Sequence, residues 1–364
     1  MKYLPDTIGL YIHIPFCEKK CLYCDFYSAC LHEKVYSDYL TALIREIKAW
    51  GSKVESRVDT IYLGGGTPSV LKSDIILILS AVRESFNVTT DAEITAECNP
   101  NCSFEFLESA KKAGVNRLSF GIQSGSDEKL KLLGRRHTVS MAKAAVKKAR
   151  EIGFDNISLD IMIALPESDC KSLQEDINFI CGLNPEHISA YILKIEQNTA
   201  FYSMRERLKL PGEDDTAVQY LTVCKELKRN GFEHYEISNF ARKGKISRHN
   251  LKYWRCDEYL GIGPSAHSFL LGKRFYYPRD IKGFINGNEP IPDGVGGDRL
   301  ERIMLGLRLS EGVNINFFSG DITEKAKELQ KAGFIKLKDG RISLTDEGML
   351  VSNSIITELI YENL

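Results

Sequence analysis

The chain has 364 residues, 43% of them hydrophobic and 27% charged, with a formal net charge of −1. This is ordinary globular composition, long enough for one large domain and one or two smaller ones, and the near-zero charge argues against a global phosphate- or membrane-binding field. Apolar runs fall far short of the ~18 residues of a membrane span, and the opening MKYLPDT lacks a basic-then-apolar leader pattern, so the expectation is a soluble cytoplasmic protein. Ten cysteines fit that expectation as reduced thiols. Three of them cluster at Cys17, Cys21 and Cys24, and Cys30, Cys98, Cys102, Cys170, Cys181, Cys224 and Cys256 are scattered.

In chain order, six short apolar runs read as strands: residues 10–14, 60–63, 93–96, 117–122, 157–163 and 188–193. Helical patterns separate them. Tyr36, Leu40, Leu43, Ile44 and Ile47 share one helical face. Residues 69–85, 104–113, 140–152 and 171–181 follow the same rule. Ser103 and Ser140 stand where N-caps belong, and Gly114 and Gly153 where left-handed C-caps do. Alternating strands and helices imply a parallel sheet with right-handed crossovers. Six repeats are too few to close an eight-stranded barrel. The expected α/β core over residues 1–200 is therefore a six-stranded (β/α)6 partial barrel, with an open doubly wound sheet as the alternative.

The chemistry gathers at strand ends. Cys17, Cys21 and Cys24 stand at C-x3-C-x2-C spacing just after the first strand. An iron–sulfur cube offers one iron to each cysteine, so three cysteines for four irons leave one iron open to a small molecule. Zinc is the other reading. Cys30 or His13 would then have to complete four ligands, and the chain has no second C-x2-C pair. Gly64-Gly65-Gly66-Thr67-Pro68 follows strand two, and Glu97-Cys98-Asn99-Pro100 closes strand three. Gln123-Ser124 closes strand four, Asp160 lies within strand five, and Glu196 follows strand six. Parallel α/β folds bind ligands at the carboxyl ends of their strands, so polar groups at six such ends predict one shared site. Plainer readings stand beside this one. GGGTP could be only a tight turn, Gln123 a partner for loop amides, and Glu97 and Asp160 solvated strand ends, although a lone carboxylate on a central strand is costly.

After Thr199 the pattern changes. Gly212-Glu213-Asp214-Asp215 reads as a polar break before a helix at 217–229. The stretch His249-Asn250-Leu251-Lys252-Tyr253-Trp254 puts His249 beside Tyr253 at helical spacing, which as pure structure is a helix whose aromatics pack on the barrel. Residues 283–297, with five glycines and two prolines, read as a linker closing a packing extension over 201–297. Residues 298–364 read as helix, helix, two short strands turned at Asp339-Gly340, and helix, a winged-helix-like α+β domain. Its nine Lys and Arg against eleven Asp and Glu argue against a nucleic-acid face and for a lid or packing role.

The cysteine spacing resembles the signature of the radical S-adenosylmethionine (radical SAM) superfamily. YIHIPFC, GGGTP, ECNP, RLSFGIQS, LGRRH, LDIMIALP and YILKIEQNT resemble its coproporphyrinogen oxidase-like group over about residues 8–200, and HNLKYW extends the match. The resemblance implies a [4Fe–4S] cluster on Cys17, Cys21 and Cys24 whose open iron binds SAM, and cleavage of SAM to a 5′-deoxyadenosyl radical. It places Tyr11 beside the cluster and Gly65, Gly66 and Thr67 against SAM. It puts Glu97, Gln123, Arg135 and Asp160 on the ribose, amino-acid and charged parts of SAM. Ala164-Leu165-Pro166 departs from the group's usual Gly-Leu-Pro.

The oxidases of the group read C-x3-C-x2-C-x-C and carry a long N-terminal extension. Here Phe26 takes the fourth position, and only ten residues precede Tyr11. With HNLKYW, these features resemble the group's haem-chaperone branch. That resemblance implies haem binding and delivery to haem proteins of the respiratory chain, with His249, Asn250, Tyr253 and Trp254 as haem-handling candidates and an electron donor as a possible partner. Enzymatic activity and catalytic residues stay open. The alternative is an oxygen-independent coproporphyrinogen III oxidase (dehydrogenase) making protoporphyrinogen IX.

Overall fold

A computed structural model describes residues 6–318 and 322–361; most of the opening MKYLPDT lies outside them. The first half repeats strand and helix: β1 Thr7–Ile14, α1 Glu33–Gly51, β2 Arg57–Gly65, α2 Ile75–Ser85, β3 Val88–Cys98, α3 Phe104–Lys112 and β4 Arg117–Gln123. It continues with α4 Asp127–Leu132, α5 Val139–Ile152, β5 Ile157–Ile163, α6 Cys170–Gly182 and β6 His187–Ile192. These six strands lie side by side in sequence order, each parallel to the next. A doubly wound sheet would reverse order at its middle; this one does not, so the partial-barrel topology holds. Among the described residues β1 and β6 do not pair, and the sheet stays open.

The strands alternate with period two, and the two faces differ in kind. One face carries Ile8, Leu10, Ile61, Leu63, Leu118, Phe120, Leu159 and Ile161, all fully buried in the core shared with the helices. The other carries Tyr62, Glu97, Arg117, Ser119, Asp160 and Ser189, which line a cavity. Register brings these together: Glu97 pairs with Ser119, and Asp160 with Ser189. Burial of the aliphatic face, worth about 25 cal/mol per Å² of apolar area, fixes which side the polar set must face.

Several local expectations change. The N-cap of α5 is Thr138, whose Oγ1 accepts from the Met141 amide at 3.2 Å, rather than Ser140. Ser103 does cap α3, accepting from the Phe106 amide, and Gly114 and Gly153 take φ of 87° and 99°. The helix expected from 69 opens as a 3₁₀ turn, Pro68–Asp74, before α2 begins.

The second half adds α7 Ala200–Met204, α8 Glu213–Arg229, β7 Glu233–Glu236, β8 Asn239–Ala241, α9 Arg248–Arg255, β9 Tyr259–Ile262, β10 His267–Leu270 and β11 Lys273–Tyr276. Then come α10 Ile281–Ile285 and β12 Ile291–Val295. The expected polar break at 212–215 is the first turn of α8, where Glu213, Asp214 and Asp215 favour the helix dipole. The expected linker contains β12, which pairs with β11. Among the described residues the sheet has twelve strands, ordered β12-β11-β10-β9-β1-β2-β3-β4-β5-β6-β8-β7. The C-terminal segment holds α11 Arg299–Gly306, β13 Val313–Asn314, α12 Thr323–Lys331, β14 Ile335–Lys338, β15 Arg341–Leu344, α13 Asp346–Leu350 and α14 Ser352–Tyr361. Its sheet has three strands rather than two, because β13 pairs with β15. Among the described residues no helix is long and apolar enough to cross a membrane.

Candidate functional site

The carboxyl ends of β1 to β6 open into a cavity of about 520 Å³. Cys17, Cys21 and Cys24 line its mouth with Phe26, whose side chain is 70% exposed. The cysteine loop is tied from both sides. Leu22 donates its amide to Leu133 O at 3.1 Å, and the Phe201 amide donates to Leu22 O at 2.9 Å. Thr67 Oγ1 lies 3.3 Å from Cys17 Sγ, and Arg135 Nη1 lies 3.4 Å from Cys21 Sγ. Asn99 links these two contacts. Its Nδ2 donates to Thr67 Oγ1 at 3.3 Å, and its Oδ1 accepts from Arg135 Nη2 at 2.7 Å.

The triple glycine is a requirement of packing. Gly65 takes φ of 106°, and a Cβ there would meet the His13 ring. At Gly66 a Cβ would lie 2.6 Å from Phe16 O and 2.7 Å from Ile14 O, both backbone atoms that cannot yield.

The interior is charged. Burial pushes the Glu97 carboxyl up to about 7, the Asp160 charge adds to this, and the hydrogen bond from Tyr62 OH at 2.8 Å opposes it. Burial also raises Asp160, which accepts from Ser119 Oγ at 3.2 Å. Arg117, 1% exposed, and Arg135 each hold a buried Nε with no partner among the described residues. Buried donors left unpaired are uncommon and point to a missing partner.

Gly65, Gly66, Thr67, Glu97, Gln123, Arg135 and Asp160 thus line one cavity with the three cysteines. Gln123 does so from a left-handed φ of 70°. Tyr11 is not part of the lining. It stacks behind Tyr62, ring centres 6.2 Å apart, and its hydroxyl bonds His13 Nδ1 at 3.0 Å. Among the residues that sequence reading passed over are Tyr62, Arg117, Ser119 and Ser189. The signal was present: Arg117, Ser119, Gly121 and Gln123 alternate with Leu118, Phe120 and Ile122 along β4.

The cysteine loop does not gather a zinc set. His13 has both ring nitrogens engaged, Nδ1 with Tyr11 and Nε2 with Tyr27 O at 2.9 Å. Cys30 is exposed and outside the cavity lining. Among the described residues, the group of three His, Cys, Asp or Glu ligand atoms within 4.8 Å of one another lies elsewhere. Three thiolates on one zinc ion would sit about 3.8 Å apart, given Zn–S bonds of about 2.3 Å.

The HNLKYW stretch forms α9, which lies under the amino ends of β2 and β3. Glu93 accepts the Arg248 and His249 amides, both at 3.1 Å, and Lys252 pairs with Asp59 at 2.9 Å. His249 is fully buried. Its Nδ1 lies 2.9 Å from Thr60 Oγ1, its Nε2 2.8 Å from Tyr253 OH, and its ring stacks on Tyr62 at 5.2 Å. Burial lowers its pKa to about 3. Trp254 packs with Tyr235, Leu251 and Leu309, away from the cavity. Asn250 alone of the four motif candidates lines it.

A loop of three cysteines at the mouth of a sequential parallel sheet, above a cavity of glycines and buried carboxylates, defines a radical SAM protein. Residues 11–180 match the radical SAM superfamily, and residues 298–351 match the HemN C-terminal domain. A protein of Bacillus subtilis named heme chaperone HemW is 35% identical over 97% of this chain and 99% of its own length. One of Escherichia coli with the same name is 39% identical over 77% of this chain and 76% of its own. The mitochondrial radical S-adenosyl methionine domain-containing protein 1 of Danio rerio is 32% identical over 97% of this chain and 87% of its own. The structure of E. coli coproporphyrinogen III oxidase (HemN) superposes with a TM-score of 0.82 at 22% identity, covering 98% of this chain and 91% of that one, a likeness of fold. The chain belongs to the radical SAM superfamily and, within it, to the HemW family.

Proposed function

We propose that the chain is a haem chaperone that binds haem and passes it to haem proteins, with a [4Fe–4S] cluster and SAM as its resident groups. Phe26 carries the reading. It stands at the cavity mouth where the oxidase pattern has a fourth cysteine, and it is 70% exposed. A phenyl ring neither ligates metal nor relays protons, but it offers apolar area to a porphyrin face. Tyr191, 42% exposed, lines the same cavity.

Cys17, Cys21 and Cys24 would hold the cluster with one iron left open. The spare Nε donors of Arg117 and Arg135 in the same cavity support this fit. Bound there, the cluster supplies an electron source and an open coordination site. The chain's own groups do the rest. Thr67 and Arg135 steady two of the sulfurs. Gly65 and Gly66 bring bare backbone against SAM. Glu97 and Asp160 face its cationic centre and ribose hydroxyls, Gln123 its polar edge, and Arg135 Nε its carboxylate. Tyr11 acts one step removed, through Tyr62. Asn250 is the motif residue that meets ligand, while His249, Tyr253 and Trp254 serve haem handling by fixing α9. Acceptors in the respiratory chain, an electron donor and a reducing cytoplasm complete the reading.

One anaerobically reconstituted sample tests it. Haem titration should saturate, and coproporphyrinogen III should stay unconverted. Protoporphyrinogen produced with SAM consumed in step would return the chain to the oxidases.

A further inference from the structure

Outside the cavity lining, three potential ligands meet where the C-terminal segment docks on the core. Cys224 comes from α8, His234 from β7 and Asp346 from the first turn of α13. One ligand atom from each lies within 4.8 Å of the other two. Cys224 is 1% exposed and His234 8%. His234 Nδ1 lies 3.0 Å from Asp346 Oδ1, and Lys228 Nζ holds the other carboxylate oxygen at 2.5 Å. Phe240 stacks on the imidazole at 4.2 Å and Tyr220 meets its edge at 6.3 Å, so the ring is clamped. Its Nε2 is buried without a partner among the described residues. A His–Asp pair alone would not explain a buried thiol placed beside it.

The donor set selects among metals. Thiolate, imidazole and carboxylate together suit zinc, whereas magnesium and calcium take oxygen ligands. Donor atoms around tetrahedral zinc lie about 3.3–3.8 Å apart, so a group within 4.8 Å with one 3.0 Å edge needs only small shifts. We propose that Cys224, His234 and Asp346 bind one zinc ion, with water in the fourth position, and that this ion staples α13 to α8 and β7. Lys228 on the second carboxylate oxygen then orients Asp346 as an outer partner.

The test uses the full chain with Cys17, Cys21 and Cys24 all changed to alanine, so that the loop takes no metal. After zinc loading and dialysis, elemental analysis should give about one zinc per chain. Cys224→Ser and His234→Gln should each abolish uptake, and Asp346→Asn should weaken it tenfold or more. Cobalt in place of zinc should show a thiolate charge-transfer band that Cys224→Ser removes, and zinc should raise the Tm of the parent. Should a variant fail to fold by circular dichroism, the cobalt spectrum of the parent decides. A folded parent that retains no zinc and shows no thiolate–cobalt band, or zinc uptake that survives Cys224→Ser, overturns the proposal.

Discussion

The two ends of the barrel treat buried polar groups in opposite ways. At the mouth, polar atoms converge with bonding capacity left over. Arg135 has a spare Nε, and Glu97 is held near neutrality in its protonation. At the floor, α9 brings an equally polar set and closes most of its contacts, with Asp59 Oδ1 met by Lys252 as an ion pair. Both nitrogens of His249 are engaged, and Glu93 takes two helix amides. Both regions carry motifs, so motif content does not separate them. Spare capacity does: a polar group is buried without its partners where a ligand is to supply them, and with its partners where it holds structure.

This contrast can be broken most sharply at the mouth. Cys21→Ala should remove cluster iron altogether, from about four irons per chain to none, by iron and sulfide analysis after anaerobic reconstitution. At the floor the expected effect is on folding. His249→Ala leaves the Thr60 and Tyr253 hydroxyls unpaired and opens a cavity, costing about 2–4 kcal/mol in chemical denaturation. Haem affinity in the folded fraction should not change. A folded His249→Ala protein that has lost haem would make His249 itself a ligand rather than a prop for α9.

Protonation sharpens the comparison further. The Glu97 carboxyl is raised from 4.5 to about 7, so the ligand-free fold is favoured with the proton on. Its stability is complete below pH 4.5 and falls by up to about 3 kcal/mol as pH rises through 7. SAM, which is cationic at the sulfonium, should bind more tightly over the same rise. Glu97→Gln should flatten the SAM-binding profile and lessen the slope of the stability profile, where burial raises Glu236 to about 7 as well, as read by SAM binding and urea titration across pH. The smallest effect belongs to Ala164, which takes φ of 57° where the resemblance had glycine. Ala164→Gly relieves about 1 kcal/mol of left-handed strain but loses about 0.8 kcal/mol of methyl burial. Denaturation midpoints should barely move.

The strands and the mouth were legible because both are local. An apolar run after a turn reads as a strand, and polar residues closing such a run fall on one edge by topology alone. The cavity walls were legible in principle, through the alternation of Arg117, Ser119 and Gly121 with aliphatic neighbours, but that alternation has meaning only once one face is known to be empty. Helical spacing correctly put His249 beside Tyr253. It could not say which end of the barrel α9 would plug, since that depends on Glu93, Asp59 and Thr60, more than 150 residues earlier in the chain. Tyr11 shows the same limit: its register beside Tyr62 turned it into support for the wall.

The far edge of the sheet has a consequence for the protein's life in crowded solution. β12 is exposed at all five positions, with Val295 84% exposed, and its outer backbone would be an open template for another chain's strand. It does not offer that template cleanly. Pro292 removes a donor, Asp293 carries charge, Gly294 takes φ of 84°, and the pairing with β11 slips register between Lys273 and Phe275. Replacing Pro292 and Asp293 with β-branched residues would turn a blunt margin into an adhesive one. Filaments or amorphous aggregate, rather than loss of cofactor, would be the first sign.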